Sequence, residues 1–526
     1  MQNFSKKVIG LAGAALMFAG MAFGQATCSG PTAGANLIRN ESTTDQVADL
    51  TFTCAGGTGL TTNILVFASL PVTSKVLTTT GTAWTEALVL VNGVAAAQGV
   101  VSGSQITFSN VTLPVGASTV LITNIRVNST SLSVGSGTPP AVTESVFISG
   151  AGANAAALAA TPVAYVLPGL ATSKDSAVSS AVVCAAVAVA APNNAGFTVN
   201  LNENFPTAFK IAGTAATNGA TGSEFTGNTE TGYVPAAWPS GATLTNIANS
   251  GTRVKIVFTN VPANVTVYVP ITQASTVAGG VLTLTASETG ALSAVAASTT
   301  TGAPAGNAAV TISGGTGQAV YEVTTESAAV SNAYAIPVVL IAAANTVTAS
   351  ATAVTTAVSF APIGSTNVPN FVIGTSTTAF AGSTFSLCST SLLFPFVTNQ
   401  LGFDTGIAIS NTSTDNLASN GTKSSAVAQS GTCTLAFYGA GAPSPSTVTT
   451  PNVPTATTYT VVLSGIAAGF QGYIVANCGF QYAHAFAFIT DGVGANGGLS
   501  QGYLALVLPA GTGTRVSGNT GESLGE

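Results

Sequence analysis

Alternation with a period of two constrains this chain more than any other feature. Thr, Val, Ile, Phe and Tyr alternate with small polar residues in runs such as ITFSNV at 106–111, VKIVFTNV at 254–261, residues 266–270 and residues 503–509. Gly, Asn, Ser and Pro separate the runs, and a side chain that changes face at every step suits a half-buried strand. Helix signals are nearly absent; the Ala-rich stretch 151–160, set among Gly and Asn, suits little more than one turn. The pattern predicts an all-β protein of tandem β-sandwich (Ig-like) domains.

Punctuation then divides the chain. Lys6 and Lys7 precede an apolar run over 8–23 that ends in Ala22-Phe23-Gly24, so residues 1–24 read as a secretory signal peptide cleaved after Gly24. Gln25-Ala26-Thr27 lacks the Leu and the small residue that a lipidated Cys28 would require. A first β-sandwich is expected over 25–167, closed by the proline-bearing TPVAYVLPGLATS at 161–173. A middle β region follows over 168–375, read either as one unit or as two sandwiches split near 315, where GGTG precedes AVYEV. A seven-stranded sandwich is expected over 376–511, and residues 512–526 form a tail without apolar periodicity. GSQITFSNVTLP at 103–114 and GTRVKIVFTNVPA at 251–263 share Phe-x-Asn-Val, from either duplication or common turn chemistry.

Charge sets the limits on partners. Only 5% of residues are Asp, Glu, Lys or Arg, against roughly 25% in ordinary soluble proteins. With 11 basic and 17 acidic residues, removal of Lys6 and Lys7 leaves 9 against 17, a net charge near −8. No basic surface is present to neutralise phosphates, so nucleic acid is excluded as a partner. Mean hydropathy is +0.52, yet beyond the signal the longest apolar runs, 181–192 and 333–344, hold 12 residues each. A spanning helix needs about 20, so both runs read as buried strands. An outer-membrane barrel would carry lumen charges that this chain lacks.

Six cysteines in an exported chain point to disulfides. Cys28 and Cys54 flank one expected hairpin, Cys433 and Cys478 lie in strand-like segments of the last domain, and Cys184 with Cys388 completes the set.

Several short motifs mimic catalytic sites. Asp404-Thr405-Gly406 matches the aspartic-protease tripeptide, but that chemistry needs two carboxylates sharing one proton, and Ile407 stands where Ser or Ala is required. The alternative is a turn in which Asp404 and Thr405 bond to their own backbone, Gly406 takes a dihedral closed to other residues, and Ile407 and Ile409 point inward. Gly498-Leu499-Ser500-Gln501-Gly502 matches a nucleophile elbow, but YLALVLP, a strand, follows where a helix is required. His484, the single histidine, precedes that serine. A second match at 521–525 falls in the tail, and Gly492, Gly494 and Gly497 have no βαβ unit around them. No catalytic residue, cofactor or metal site is therefore assigned, and Asp404→Ala or Ser500→Ala is expected to leave function unchanged.

Within QYAHAFAFIT, alternation places His484 on one strand face with Tyr482, Phe486 and Phe488, packed inward, and alanines on the other. Calcium would find oxygen donors at 40–49 or 223–230, without the Asp-x-Asp spacing of a built loop. Tyr233 and Trp238, beside Asn228, form the best candidate for a glycan patch.

Arg39-x-Glu41, Val47, Asp49, Cys54-Ala55-Gly56-Gly57, VTSKVL at 72–77, EALVLVNG at 86–93 and ITNIRVN at 122–128 resemble a group of exported bacterial proteins, abundant in acidobacteria, with no assigned activity. SGTRVKIVFTNVPANVTVYVP at 250–270, AVYEV at 319–323 and LLFPFVTNQLGFDTGIAISNT at 392–412 resemble later parts of the same group, and Lys75 departs from its usual arginine. The resemblance implies export and β architecture and no catalytic residues.

A long exported β protein with so few ions covers its outside with Ser, Thr, Asn, Gly and Ala, so copies can approach without desolvating charges. The sequence therefore points to a secreted structural protein at the cell surface, a self-assembling subunit of a fibre, tube or surface layer, partnered by its own copies or other surface proteins. An adhesin or glycan-binding module is the alternative.

Overall fold

The computed structural model describes residues 25–57, 59–77, 81–135, 137–175, 179–182, 196–212, 250–277, 279–327, 329–342, 350–361, 379–386, 389–413, 428–492 and 498–508. Among them the protein is all-β, with a single helical turn, Leu463–Ile466. Alternating burial in strands such as Phe197–Glu203 shows why: Phe197, Val199 and Leu201 point inward and Thr198, Asn200 and Asn202 outward.

The first unit is a sandwich made from one ten-stranded sheet that folds over on itself. Its first strand, Thr27–Ala33, returns against Ala156–Leu167, and Ala26 bridges Ala153. The two halves thus enclose a core that includes Phe52, Ile64, Val66, Phe108, Val120 and Ile148. Asn92-Gly93, both at positive φ (53° and 78°), turn Trp84–Val91 into Val94–Ser102.

Five strands pack on eight in the middle unit. One core runs from Leu170 to Phe385 and draws on strands from both sides of residue 315, so this region is a single sandwich. Whereas the sequence places a domain start at 376, the strand Phe380–Ser386 pairs with Ser350–Phe360 inside the middle sheet. The apolar stretch at 333–344 contributes the strand Ala333–Ala342, whose burial alternates. The Phe-x-Asn-Val echo marks shared local geometry, because Asn110 and Asn260 both sit at φ 57° and Val111 and Val261 after them are buried.

In the last unit, the strands Thr447–Thr449, Cys433–Ala440, Gln471–Cys478, Thr390–Thr398 and Leu506–Leu508 form one sheet in that order. Thr458–Val462, Asp404–Asn411, Ala483–Thr490 and Ser500–Leu504 form the other. The run YLALVL serves both sheets, crossing at Ala505, whose N–H donates to Ala485 O at 2.9 Å.

Two disulfides are present among the described residues, Cys28–Cys54 and Cys433–Cys478, and each joins directly opposed residues of an antiparallel pair. Cys184 and Cys388 lie outside the described residues.

Candidate functional site

Among the described residues, many of the scarce charges are spent inside the protein. Arg39, Arg126 and Arg253 are each 0% exposed, and each has a buried carboxylate partner. Arg126 Nε donates to Glu86 Oε1 at 2.8 Å, where Lys75 N also donates at 2.9 Å. Burial, with the charge of Arg126, pushes the Lys75 ammonium down, and Glu86 opposes that. Arg253 donates to Glu322 Oε2 through Nε at 2.8 Å and Nη2 at 2.6 Å, and Nη2 also reaches Gly290 O at 2.8 Å.

Arg39 joins two units. Its Nε donates to Asp45 Oδ2 at 3.0 Å, its Nη2 pairs with Asp45 Oδ1, and its Nη1 donates to Ala208 O of the middle sandwich at 2.9 Å. Lys210 Nζ approaches Asp45 Oδ1 to 3.7 Å, and Gly169 N donates to Glu41 Oε2 at 2.9 Å. Burial would raise the Asp45 carboxyl, but Arg39 and Lys210 hold it well below the usual range. Burial does raise Glu41, against the Gly169 N–H. The Arg-x-Glu motif and the window at 40–49, weighed for calcium, thus form a structural joint between sandwiches.

The look-alikes at Asp404 and Ser500 have structural roles, whereas the match at 521–525 and the glycines Gly494 and Gly497 lie outside the described residues. Asp404 opens a strand and accepts from Thr405 N at 2.8 Å, Ser464 N at 3.1 Å and Ser464 Oγ at 2.5 Å, tying down the turn Leu463–Ile466. Burial alone would raise its carboxyl; these hydrogen bonds lower it. Thr405 Oγ1 donates not to its own turn but to Thr398 O at 2.8 Å. Gly406 lies in the ladder between Val462 and Phe488 and is not among the residues at positive φ. Paired strands, rather than an isolated turn, set its conformation, which corrects the turn expectation. Ser500 starts a strand, with its Oγ 3.4 Å from Thr490 Oγ1. His484 stands opposite Ser410, six positions from Thr490, or about 20 Å along a strand. No Ser–His pair forms.

His484, Phe486 and Phe488 do share a face, but it is the outer one. Ala483, Ala485 and Ala487 point inward instead. Leu392, Phe394, Leu435, Phe437 and Ile474 of the facing sheet fill the space between layers, and with sheets about 10 Å apart only small side chains fit opposite them. The outer row therefore reads Val462, Gly406, Phe488, Gly502, and the next Thr460, Ala408, Phe486, Leu504.

Phe486 and Phe488 stack at 6.5 Å between centroids, with Phe486 over Gly502, where a Cβ would lie 2.2 Å from Cζ. Phe486 is 40% exposed and Leu504 71%. On the opposite outer face Tyr438 and Tyr473 stack at 5.0 Å, also exposed. Within 389–413, 428–492 and 498–508 the only charged side chains are Asp404 and Asp491. Alternation revealed which residues share a face; only the volumes of the opposing sheet revealed which way that face points.

Elsewhere, a groove of about 630 Å3 runs along the middle sandwich, lined by Val257, Leu284, Val295, Val310 and Ala319. Glu288 on its rim is bound by Lys255 at 3.0 Å. No group of three or more His, Cys, Asp or Glu side chains that could hold a metal occurs among the described residues. Tyr233, Trp238 and the window at 223–230 lie outside the described residues. No helix among them is long and apolar enough to cross a membrane.

No family model matches the chain, and no curated protein matches it. Among solved structures, the major pilin subunit of Bacillus cereus is similar at 8% identity, over 84% of this chain and 95% of its own, with a TM-score of 0.21. A variant of that pilin gives 9% identity, 86% and 97% coverage and the same score. The CupB6 tip adhesin from Pseudomonas aeruginosa gives 10% identity, 69% and 97% coverage and a TM-score of 0.18. At these scores the likeness carries no functional inference.

Proposed function

We propose that this chain is an exported structural protein whose copies associate through the last sandwich to build a fibre, tube or surface layer. The observation that carries the reading is the outer face of Val462, Ala408, Phe486, Phe488 and Leu504, a contiguous apolar surface on a unit with two charged side chains among its described residues. Monomeric proteins break up such patches and scatter charges over them. Here two copies can meet face to face without desolvating ions or opposing like charges. The small residues Gly406 and Ala408 beside the aromatic ridge leave troughs into which a neighbour's side chains pack. The terminal strands of the five-stranded sheet, Thr447–Thr449 and Leu506–Leu508, have 3 residues each, so the face offers more to a neighbour than those edges do.

Sedimentation and negative-stain microscopy of the mature chain test this. Ordered polymers or concentration-dependent oligomers are expected, and Phe486→Asp combined with Leu504→Asp should weaken association at least about 100-fold, since desolvated aromatic anchors dominate such contacts. A wild-type chain that stays monomeric at high concentration refutes the reading.

A further inference from the structure

Where the middle sandwich's two sheets exchange chain, four oxygen-bearing side chains meet. Glu203 ends the strand Phe197–Glu203, Glu326 follows Thr316–Thr325, Asn332 precedes Ala333–Ala342, and Tyr334 lies on that strand. Glu203, Asn332 and Tyr334 are buried and Glu326 half-buried. Glu203 accepts from the backbone N–H groups of Phe209 at 2.8 Å and Asn332 at 2.9 Å. Asn332 Nδ2 donates to Glu326 Oε1 at 2.5 Å and reaches Glu203 Oε2 at 3.5 Å, which fixes the orientation of the carboxamide.

Three buried oxygens then remain without a hydrogen-bond partner: Asn332 Oδ1, Tyr334 Oη and Glu326 Oε2. The first two converge beside Gly280, where a Cβ would lie 2.4 Å from Oδ1 and 2.3 Å from Oη. Burial, the charges of Glu326 and Glu203, and the nearness of Glu326 as a hydrogen-bond acceptor all raise the Tyr334 hydroxyl, so the carboxyls adjoin it. The largest influences on the two carboxyls are burial, each other, Asn332 and backbone amides; no basic side chain is among them.

We propose that this cluster is a binding site for a hard divalent cation of the calcium class, with Glu326 Oε2, Asn332 Oδ1 and Tyr334 Oη as ligands, Glu203 as the second negative charge, and water completing the shell. The donor set is all oxygen, which suits calcium and not the softer metals that favour imidazole or thiolate. A proton shared between the two carboxyls, with the Tyr334 hydroxyl donating to Glu326, would account for both carboxyls and the phenol but leave the buried Asn332 amide oxygen unpartnered, and such an orphaned group is costly. A cation draws on that amide oxygen as well, and half-buried Glu326 gives it a way in. It would staple the connection between the two sheets, a role independent of the association face.

The test uses the full mature chain at neutral pH, in EGTA and then in millimolar calcium chloride, with terbium as a luminescent probe. Calcium should raise the melting temperature by several degrees, and terbium should show tyrosine-sensitised emission that calcium displaces. Glu326→Gln should lower calcium affinity at least 10-fold, and Tyr334→Phe should remove most of the sensitised emission. Either of two results would overturn the site: a melting temperature indifferent to calcium, or terbium emission unchanged by both substitutions, which would place the ion elsewhere. A rise in stability on Glu326→Gln without any calcium response would assign the pair to proton sharing instead.

Discussion

Arg253 shows at residue scale what a charge costs in this protein. Its guanidinium is fully buried and satisfied by Glu322, Ser287 O and Gly290 O. Arg253→Met leaves the Glu322 carboxylate buried without its partner, so urea denaturation should show a loss of about 3–5 kcal/mol. Adding Glu322→Leu should recover most of it, because an apolar pair of similar volume replaces the ion pair. Glu144 is the opposite case. It points into the core of the first sandwich between Val142 and Val146, with neither carboxyl oxygen hydrogen-bonded. Burial, then the nearby Asp49, raises it to about 8 from 4.5. The folded state therefore keeps a proton that the unfolded chain has released, and the sign follows: this stability is full below about pH 4.5 and is lost as pH rises through about 8. Glu144→Gln should flatten the decline between those limits in a pH series of melting temperatures; an unchanged slope would show that another group titrates.

Between elements, close backbone approach decides which glycines matter. Gly472 lies on Gln471–Cys478 opposite Gly439, and a Cβ there would sit 2.1 Å from Tyr438 O and 2.9 Å from Gly439 Cα. Gly472→Ala must push those two strands apart, at a cost of about 1–3 kcal/mol, read as a lower urea midpoint and faster amide exchange in both strands. Strand existence was legible from alternation at nearly every element named. Face direction was not. For Ala483–Thr490 the pattern fitted either side equally, and the bulk of Phe394, Phe437 and Ile474 across the core turned the alanines inward. The start of the last unit was hidden in the same way, because nothing local in residues 380–386 shows that they pair with Ser350–Phe360 of the middle sheet.

For the whole molecule, the ions that would normally keep copies apart are drawn into the joints. Arg39, Glu41, Asp45, Glu86, Arg126, Glu203, Lys210, Arg253 and Glu322 are all buried in the first two sandwiches, and the described residues of the last sandwich carry only Asp404 and Asp491. Association through such a face should change little between about 20 mM and 0.5 M salt, since screening acts on charges; light scattering that collapses as salt rises would point to an electrostatic contact instead. The sequence by itself determined the β architecture, through alternation and turn residues that act over a few positions, and it determined the scarcity of charge. Only the tertiary structure decided where each charge went, which aromatic rows faced out, and that four distant oxygen-bearing side chains meet at one end of the middle sandwich. Those outcomes depend on which residues lie opposite one another across a core, and that arrangement is fixed by long-range pairing and volume, which no local pattern encodes.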